Sequence, residues 1–306
     1  MRPKLGRPDI GRYADRFDVP AATGAFGVTF LGVTTLLFDD GDSAVLTDGF
    51  FSRPSLLQVG FRRLAPDHAR ISDALTRVGL ERLEAVVPVH THFDHALDAP
   101  VVADRTGAVL AGGTSAANLG RGYGLAEDRL LTVTPGEPVR FGAFRLTWVV
   151  SAHCPPDRYP GPITEPVVPP APAGAYRCGE AWSVLIAHDS GRTALVQGSA
   201  GFVPGALAGQ HAEVAYLGGG QLGLQSEDYL RSYWAETVET VGARRVVLTH
   251  WDDFFRPLDE PLRALPYAGD DLDATMRVLL AVADKQGVPL QFPSVWRRED
   301  PWRSLG

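Results

Sequence analysis

Basic surplus, cysteine, lysine and long apolar runs are all scarce in this chain of 306 residues. Lys and Arg number 29 against 36 Asp and Glu, a formal net charge of −7. That balance lacks the cationic excess on which non-specific nucleic-acid binding runs, so no nucleic-acid partner is expected. Two cysteines, Cys154 and Cys178, make no disulfide framework and point to a reducing, cytoplasmic setting. The longest apolar run, 26–38, is broken by Gly and Thr and too short to span a bilayer. Arg2, Lys4, Arg7, Arg12 and Arg16 crowd the start without an apolar stretch in secretory position, so neither signal peptide nor membrane insertion is expected. Lys4 and Lys285 are the only lysines, which reads as composition bias rather than a demand for guanidinium. At 45% hydrophobic and 21% charged residues, the composition is that of a globular protein with ample core.

The pattern along the chain alternates strands and helices. Residues 1–27 are polar and Pro/Gly-punctuated and read as an N-terminal arm, lying on the body or partly free. Short apolar runs at 28–31, 34–38 and 44–47, separated by Gly and Asp turns, predict hairpin strands. Ile71, Leu75 and Val78 recur at helical spacing between Asp67 and Gly79. Further strands are expected at 83–89, 130–134, 139–141, 144–150, 182–187, 193–197, 214–217, 246–249 and 290–292. Helices are expected at 226–241 and 271–286, the first opening on Ser226 with Glu227 and Asp228 in its first turn. Eight prolines fall within 155–175, which predicts a long irregular loop. The expectation is one domain, 28–306, of α/β class, decorated by that loop.

The chemistry-bearing segment is Val89-His90-Thr91-His92-Phe93-Asp94-His95. Three of the eight histidines and an aspartate occupy six positions directly after a buried strand, where α/β folds place reactive groups. His90 and His92, two apart, project to one side of extended backbone. Imidazole with carboxylate suits zinc, and also iron or manganese.

This segment resembles the H-x-H-x-D-H signature of the metallo-β-lactamase superfamily. His153 after strand 144–150 and His250 after strand 246–249 stand where that family places its next and last histidines. Val28-Thr29-Phe30-Leu31-Gly32, Leu46-Thr47-Asp48-Gly49 and Thr249-His250-Trp251-Asp252-Asp253-Phe254 are similar to the ascorbate-6-phosphate lactonase and N-acylphosphatidylethanolamine phospholipase D branch. The resemblance implies a four-layer αβ/βα sandwich. It also implies one metal held by His90, His92 and His153 and a second by Asp94, His95 and His250. One or two zinc ions per chain are expected, with manganese or iron as alternatives. The implied reaction is attack by a metal-bound hydroxide on an ester, lactone, thioester, amide or phosphodiester bond of a small-molecule substrate. Asp94 and His250 are the expected catalytic residues. The alternatives are a catalytically weakened metal-binding relative and an iron-dependent oxidoreductase using the same ligands.

One position departs from the family pattern. Ser199, after Gly198, stands where an aspartate usually bridges both metals, and a neutral hydroxyl is a poor bridge. A single metal, two metals without a protein bridge, or weakened activity follow as alternatives. Around the motif, Asp48 is expected to orient a ligating histidine or to form a turn. Gly218-Gly219-Gly220 reads as a tight turn near the metals. Phe50, Phe51, Trp251, Phe254 and Phe255 are expected to wall the substrate or cap the core. Cys154 is read as a non-ligand, and a Cys154–Cys178 clasp as improbable under reducing conditions. His68, His188 and His211 are read as ordinary turn or surface residues.

Overall fold

A computed structural model describes residues 4–305; residues 1–3 of the expected arm and Gly306 lie outside the described residues. In chain order the strands are β1 (Gly27–Phe30), β2 (Leu36–Asp39), β3 (Ala44–Thr47), β4 (Arg63–Leu64), β5 (Ala85–Val87), β6 (Val109–Gly112), β7 (Leu130–Thr132), β8 (Pro138–Phe141), β9 (Phe144–Val150), β10 (Ala171–Pro172), β11 (Trp182–His188), β12 (Thr193–Gln197), β13 (Val214–Gly218), β14 (Arg245–Thr249), β15 (Leu290–Gln291) and β16 (Arg298–Glu299). The helices are α1 (Leu56–Phe61), α2 (His68–Arg77), α3 (Phe93–Ala96), α4 (Ala99–Thr106), α5 (Thr114–Tyr123), α6 (Glu227–Trp234) and α7 (Leu272–Gln286).

Two seven-stranded mixed sheets form, one in the order β16-β1-β2-β3-β5-β6-β7 and the other β15-β14-β13-β12-β11-β9-β8. Their facing sides share a core of Phe30, Phe38, Phe144, Trp148, Val184 and Tyr216. β9 shows the cause: Phe144, Leu146 and Trp148 alternate inward while Arg145 and Thr147 do not. Helices cover the outer sides. Ile71, Ala74 and Leu75 of α2 and Val101 to Ala103 of α4 pack on the first sheet. Leu230, Tyr233 and Trp234 of α6 and Met276, Val278 and Leu279 of α7 pack on the second. The result is the four-layer αβ/βα sandwich.

Caps fix the helix ends that the sequence marks. Asp67 accepts the Ala69 and Arg70 amides ahead of α2, and Asp271 accepts the Ala274 amide ahead of α7. The 226–241 helix is α-helical to Trp234 and then continues as a π-turn over Ala235–Glu239. Helices α4 and α5 and strand β6 fill 99–123, where apolar periodicity is masked because nearly every side of α4 is buried. The proline-rich loop is less irregular than its composition predicts: Ala171–Pro172 pairs with Arg63–Leu64, and a 3-10 turn follows at Ala173–Ala175.

The described part of the N-terminal arm lies on the body. Tyr13 donates to Asp273 at 2.8 Å, Phe17 stacks on Phe292 at 5.1 Å, and Arg7 reaches Asp253 and the Ala264 carbonyl. Among the described residues no helix is long and apolar enough to cross a membrane.

Candidate metal centre

The parallel strands β3, β5, β12, β13 and β14 deliver their carboxyl-terminal loops to one edge of the sandwich. Asp48 follows β3, the His90–His95 segment follows β5, Ser199 follows β12, Gly219 and Gly220 follow β13, and His250 follows β14. His153 enters from the far end of β9. Parallel strands all point one way, so residues distant in sequence meet at that edge.

Two groups of three hold the expected ligands, and a third, of His92, Asp157 and Cys178, shares His92 with the first. His90, His92 and His153 each bring a ligand atom within 4.8 Å of the others, and so do Asp94, His95 and His250. In the first group, His90 Nε2 and His92 Nδ1 lie 3.2 Å apart. His153 donates through Nδ1 to the Cys154 carbonyl, 2.7 Å away, which leaves its Nε2 for the site. In the second group, His95 commits Nδ1 to Asp48 Oδ2 at 2.7 Å, while its Nε2 is buried without a hydrogen bond. His250 Nε2 lies 3.4 Å from Asp94 Oδ2, and His95 Nε2 lies 3.7 Å from the same oxygen. His95 Nε2, buried without a partner among convergent imidazoles and a carboxylate, is what a divalent metal requires and what a sealed core avoids. The residues fit the group.

The two groups differ electrostatically. Burial is the largest influence on the first and, with the neighbouring imidazoles, pushes His90 well below the ordinary histidine range. Burial and His92 take His153 down to about 4, and burial also lowers His92. In the second group burial works against a charged His95, yet Asp48 and Asp94 outweigh it and raise its pKa. Burial likewise disfavours the Asp94 carboxylate, but His95 and His250 hold its pKa below the usual range.

Local strain marks the same edge. Val33, Asp48, Arg53, Gln221 and His250 all have positive φ, His250 at 52° and the β-branched Val33 at 53°, conformations that persist only where surroundings enforce them. The His250 amide donates to the Val33 carbonyl at 2.7 Å, and the Val33 amide donates to Asp252 Oδ1 at 2.9 Å. Asp252 forms a fully buried ion pair with Arg53. Gly220 is required beside His250, because a Cβ there would stand 2.9 Å from His250 Nδ1; the triple glycine is the tight turn expected of it.

The expected surroundings fall out as follows. Asp48 both orients His95 and accepts from the Thr34 hydroxyl. Thr34 is therefore held by the site, and β2 begins at Leu36 rather than at 34. Phe50, Phe51 and Trp251 are core residues, buried to 3% exposure or less. Phe254 and Phe255 are only partly buried, and the Phe254 ring lies 5.5 Å from that of His250. Cys154 and Cys178 are free, buried thiols. His188 is tied to Asp40 at 2.9 Å, far from the centre. Ser199 is buried and uses its Oγ to accept the Cys154 amide at 2.9 Å, beside His153 and engaged with backbone.

Sequence reasoning missed three contributors. Asp98 accepts the Phe51 and Ser52 amides and the Ser52 hydroxyl and so fixes the turn after Asp48. Arg53 and Asp157 are the others, and Asp157 stands 3.2 Å from His92 Nε2. No sequence signal singles out any of them, since each acts through a distant loop.

A family model of the Metallo-beta-lactamase superfamily matches residues 28–196. The chain belongs to that superfamily. The match takes in His90 to His153 and ends before Ser199 and His250. Several solved structures are similar to the chain in fold. A possible metal-dependent hydrolase from Veillonella parvula is 15% identical with a TM-score of 0.57, covering 90% of this chain and 99% of that one. An isothiocyanate hydrolase from Delia radicum gut bacteria is 15% identical with a TM-score of 0.53, over 87% and 96%. CmlA, a diiron β-hydroxylase from Streptomyces venezuelae, is 11% identical with a TM-score of 0.52, over 90% of this chain and 54% of that one. The comparison with curated proteins gives no match.

Proposed function

We propose that the chain is a metal-dependent hydrolase of small molecules, with His90, His92 and His153 holding one divalent metal and Asp94, His95 and His250 a second. The observation that carries the reading is the pair of convergent triads on one sheet edge. Zinc is the proposed metal, since imidazole and carboxylate at fourfold sites suit it, and manganese or iron fit the same donors. When bound, such a metal supplies Lewis acidity and brings the pKa of water near neutrality.

The chain's own residues do the rest. Asp48 fixes His95 in the tautomer that leaves Nε2 free. Asp94, placed between His95 and His250, is the group positioned to take a proton at Oδ2, and His250 is the proposed partner that orients the reacting group beside it. Phe254, Phe255 and Tyr159 give an aromatic flank to a centre otherwise lined by histidines and Asp94, an arrangement suited to an uncharged carbonyl group such as an ester, lactone, thioester or amide. A phosphodiester is the less favoured substrate, because the aromatic flank offers its charge no partner. The described arm residues are proposed to steady the His250 loop through Arg7 and Asp253, within one domain spanning 28–306.

Ser199 supports a second reading, a member with weakened turnover, because its hydroxyl is spent on the Cys154 amide. Metal analysis of protein purified without added metal, with a panel of neutral esters and lactones, separates the readings. Metal at both sites with turnover supports the hydrolase. Metal without turnover supports the weakened member, and iron with no hydrolysis supports an oxidoreductase. His92→Ala is expected to remove the first metal while leaving the domain folded, because the core is independent of the site. Unfolding on that substitution refutes a purely catalytic metal.

A further inference from the structure

The loop rich in proline reaches back to the centre at one carboxylate. Asp157 Oδ1 lies 3.2 Å from His92 Nε2, with 9% and 23% of the His92 and Asp157 side chains exposed. Of the two ring nitrogens of His92, Nδ1 faces His90 Nε2 at 3.2 Å, so Nε2 is the one turned away from the first metal position. It is cut off from solvent.

Asp157 is held where it stands. Its Oδ1 accepts the Tyr159 amide at 3.0 Å, closing a local turn, and Cys178 Sγ lies within 4.8 Å of the same carboxylate. The two ends of the loop are laced together: the Cys178 amide donates to the Tyr159 carbonyl at 2.8 Å and the Gly179 amide to the Gly161 carbonyl at 3.0 Å. That lacing is anchored to the histidine motif itself. The Thr91 amide donates to the Cys178 carbonyl at 2.8 Å, and the Thr91 hydroxyl donates to the Arg177 carbonyl at 2.6 Å. Thr91 is the residue between His90 and His92. The loop and the motif therefore move as one piece, with a carboxylate fixed against the outer nitrogen of a ligating ring.

We infer that Asp157 is a positioning residue for the first metal: it accepts the Nε2 proton of His92 and so holds that ring as the tautomer with Nδ1 free. The inference rests on the metal-centre reading above. Each triad then has one histidine backed by a carboxylate, His95 by Asp48 and His92 by Asp157. Histidine ligands backed in this way gain basicity and fixed orientation. The Asp157 contact is the longer of the two, 3.2 Å against 2.7 Å, and is not aligned as a full hydrogen bond.

The test is chelator competition with zinc on the full chain and on its His250→Ala form, which keeps only the first triad. Asp157→Ala is expected to weaken the first site about 10- to 100-fold and to leave the second within about twofold. Asp157→Asn keeps an acceptor oxygen for Nε2–H and for the Tyr159 amide, and is expected to recover most of the loss. Imidazole 15N shifts of the metal-free protein supply a readout that a merely structural role would not move. His92 is expected as the Nε2–H tautomer in the wild type and as a mixture in Asp157→Ala. Zinc affinity and tautomer both unchanged in Asp157→Ala overturns the inference while leaving the metal centre intact. Asp157→Asn as damaging as Asp157→Ala also overturns it, because that pattern belongs to a carboxylate binding the metal directly. A wild type that binds no zinc at the first triad fails the metal-centre reading itself.

Discussion

Replacing Arg53 by Met is the sharpest probe of how the site is held. Arg53 and Asp252 are both 0% exposed. Arg53 also donates through Nε to the Arg256 carbonyl at 2.6 Å and through a terminal nitrogen to the Asp253 carbonyl at 3.1 Å. Methionine matches the aliphatic stem but leaves Asp252 a buried carboxylate with only the Val33 amide to satisfy it. Removing one member of a buried pair costs about 3–5 kcal/mol. An exposed pair such as Arg121–Glu127, 35% and 68% exposed, is worth about 0–1 kcal/mol. For a chain of this size the expected fall in melting temperature is roughly 5–10 °C, measured on metal-free protein. The damage passes to His250, whose amide donates to Val33, so the second metal is expected to bind more weakly than the first in the same variant. Arg53→Met/Asp252→Asn removes the stranded charge and keeps an acceptor for Val33. The double variant is therefore expected to be more stable than Arg53→Met by about 1–3 kcal/mol. A loss below about 1 kcal/mol for Arg53→Met, or strict additivity in the double variant, refutes the reasoning.

Three further outcomes are expected. Ser199→Asp tightens the second metal under chelator competition, because a carboxylate at that place attracts a dication where a hydroxyl does not; equal tight binding of two metals by the wild type, unchanged by the substitution, sinks it. On acidification the second metal leaves before the first. Asp48 and Asp94 raise the His95 pKa, so protons compete for that ligand at higher pH than for His153, whose pKa lies at about 4; metal content followed from pH 8 to 4 in a single smooth step for both sites contradicts this. Asp48→Ala frees His95 to rotate and is expected to cost the second site about 10- to 100-fold in affinity, with the first site unmoved as the control.

Much of the architecture was legible because its causes are local. Asp67 and Asp271 mark helix starts by their own side chains, β9 announces its inward face by alternation, and β3 was bounded at both ends by turns. The motif His90–His95 was legible because four donor residues fall within six adjacent positions. What escaped reading has non-local causes. α4 buries almost all of its surface and so lacks the one-sided periodicity that betrays a helix. Thr34 and Thr35 look like strand residues, but their hydroxyls serve Asp48 and the amides of Gly49 and Phe50, so the strand starts later. Arg53, Asp98 and Asp157 carry no pattern of their own and acquire a role only from what lies across the fold.

The positive-φ residues show why that division is physical. Val33 and His250 stand in conformations that neither residue type prefers, and no propensity scale would place them there. They are stable because each satisfies a hydrogen bond of the other's loop, the His250 amide to Val33 and the Val33 amide to Asp252, while Arg53 neutralises the carboxylate that receives it. Gly32 completes the arrangement, since a Cβ there would stand 2.2 Å from an Arg53 guanidinium nitrogen. Strain of this kind costs of order 1–3 kcal/mol per residue and is tolerable only in a molecule with a large core to offset it. His250 is thus positioned by two loops that the sequence places some 200 residues apart, and its geometry is a property of the assembled sandwich rather than of any segment within it.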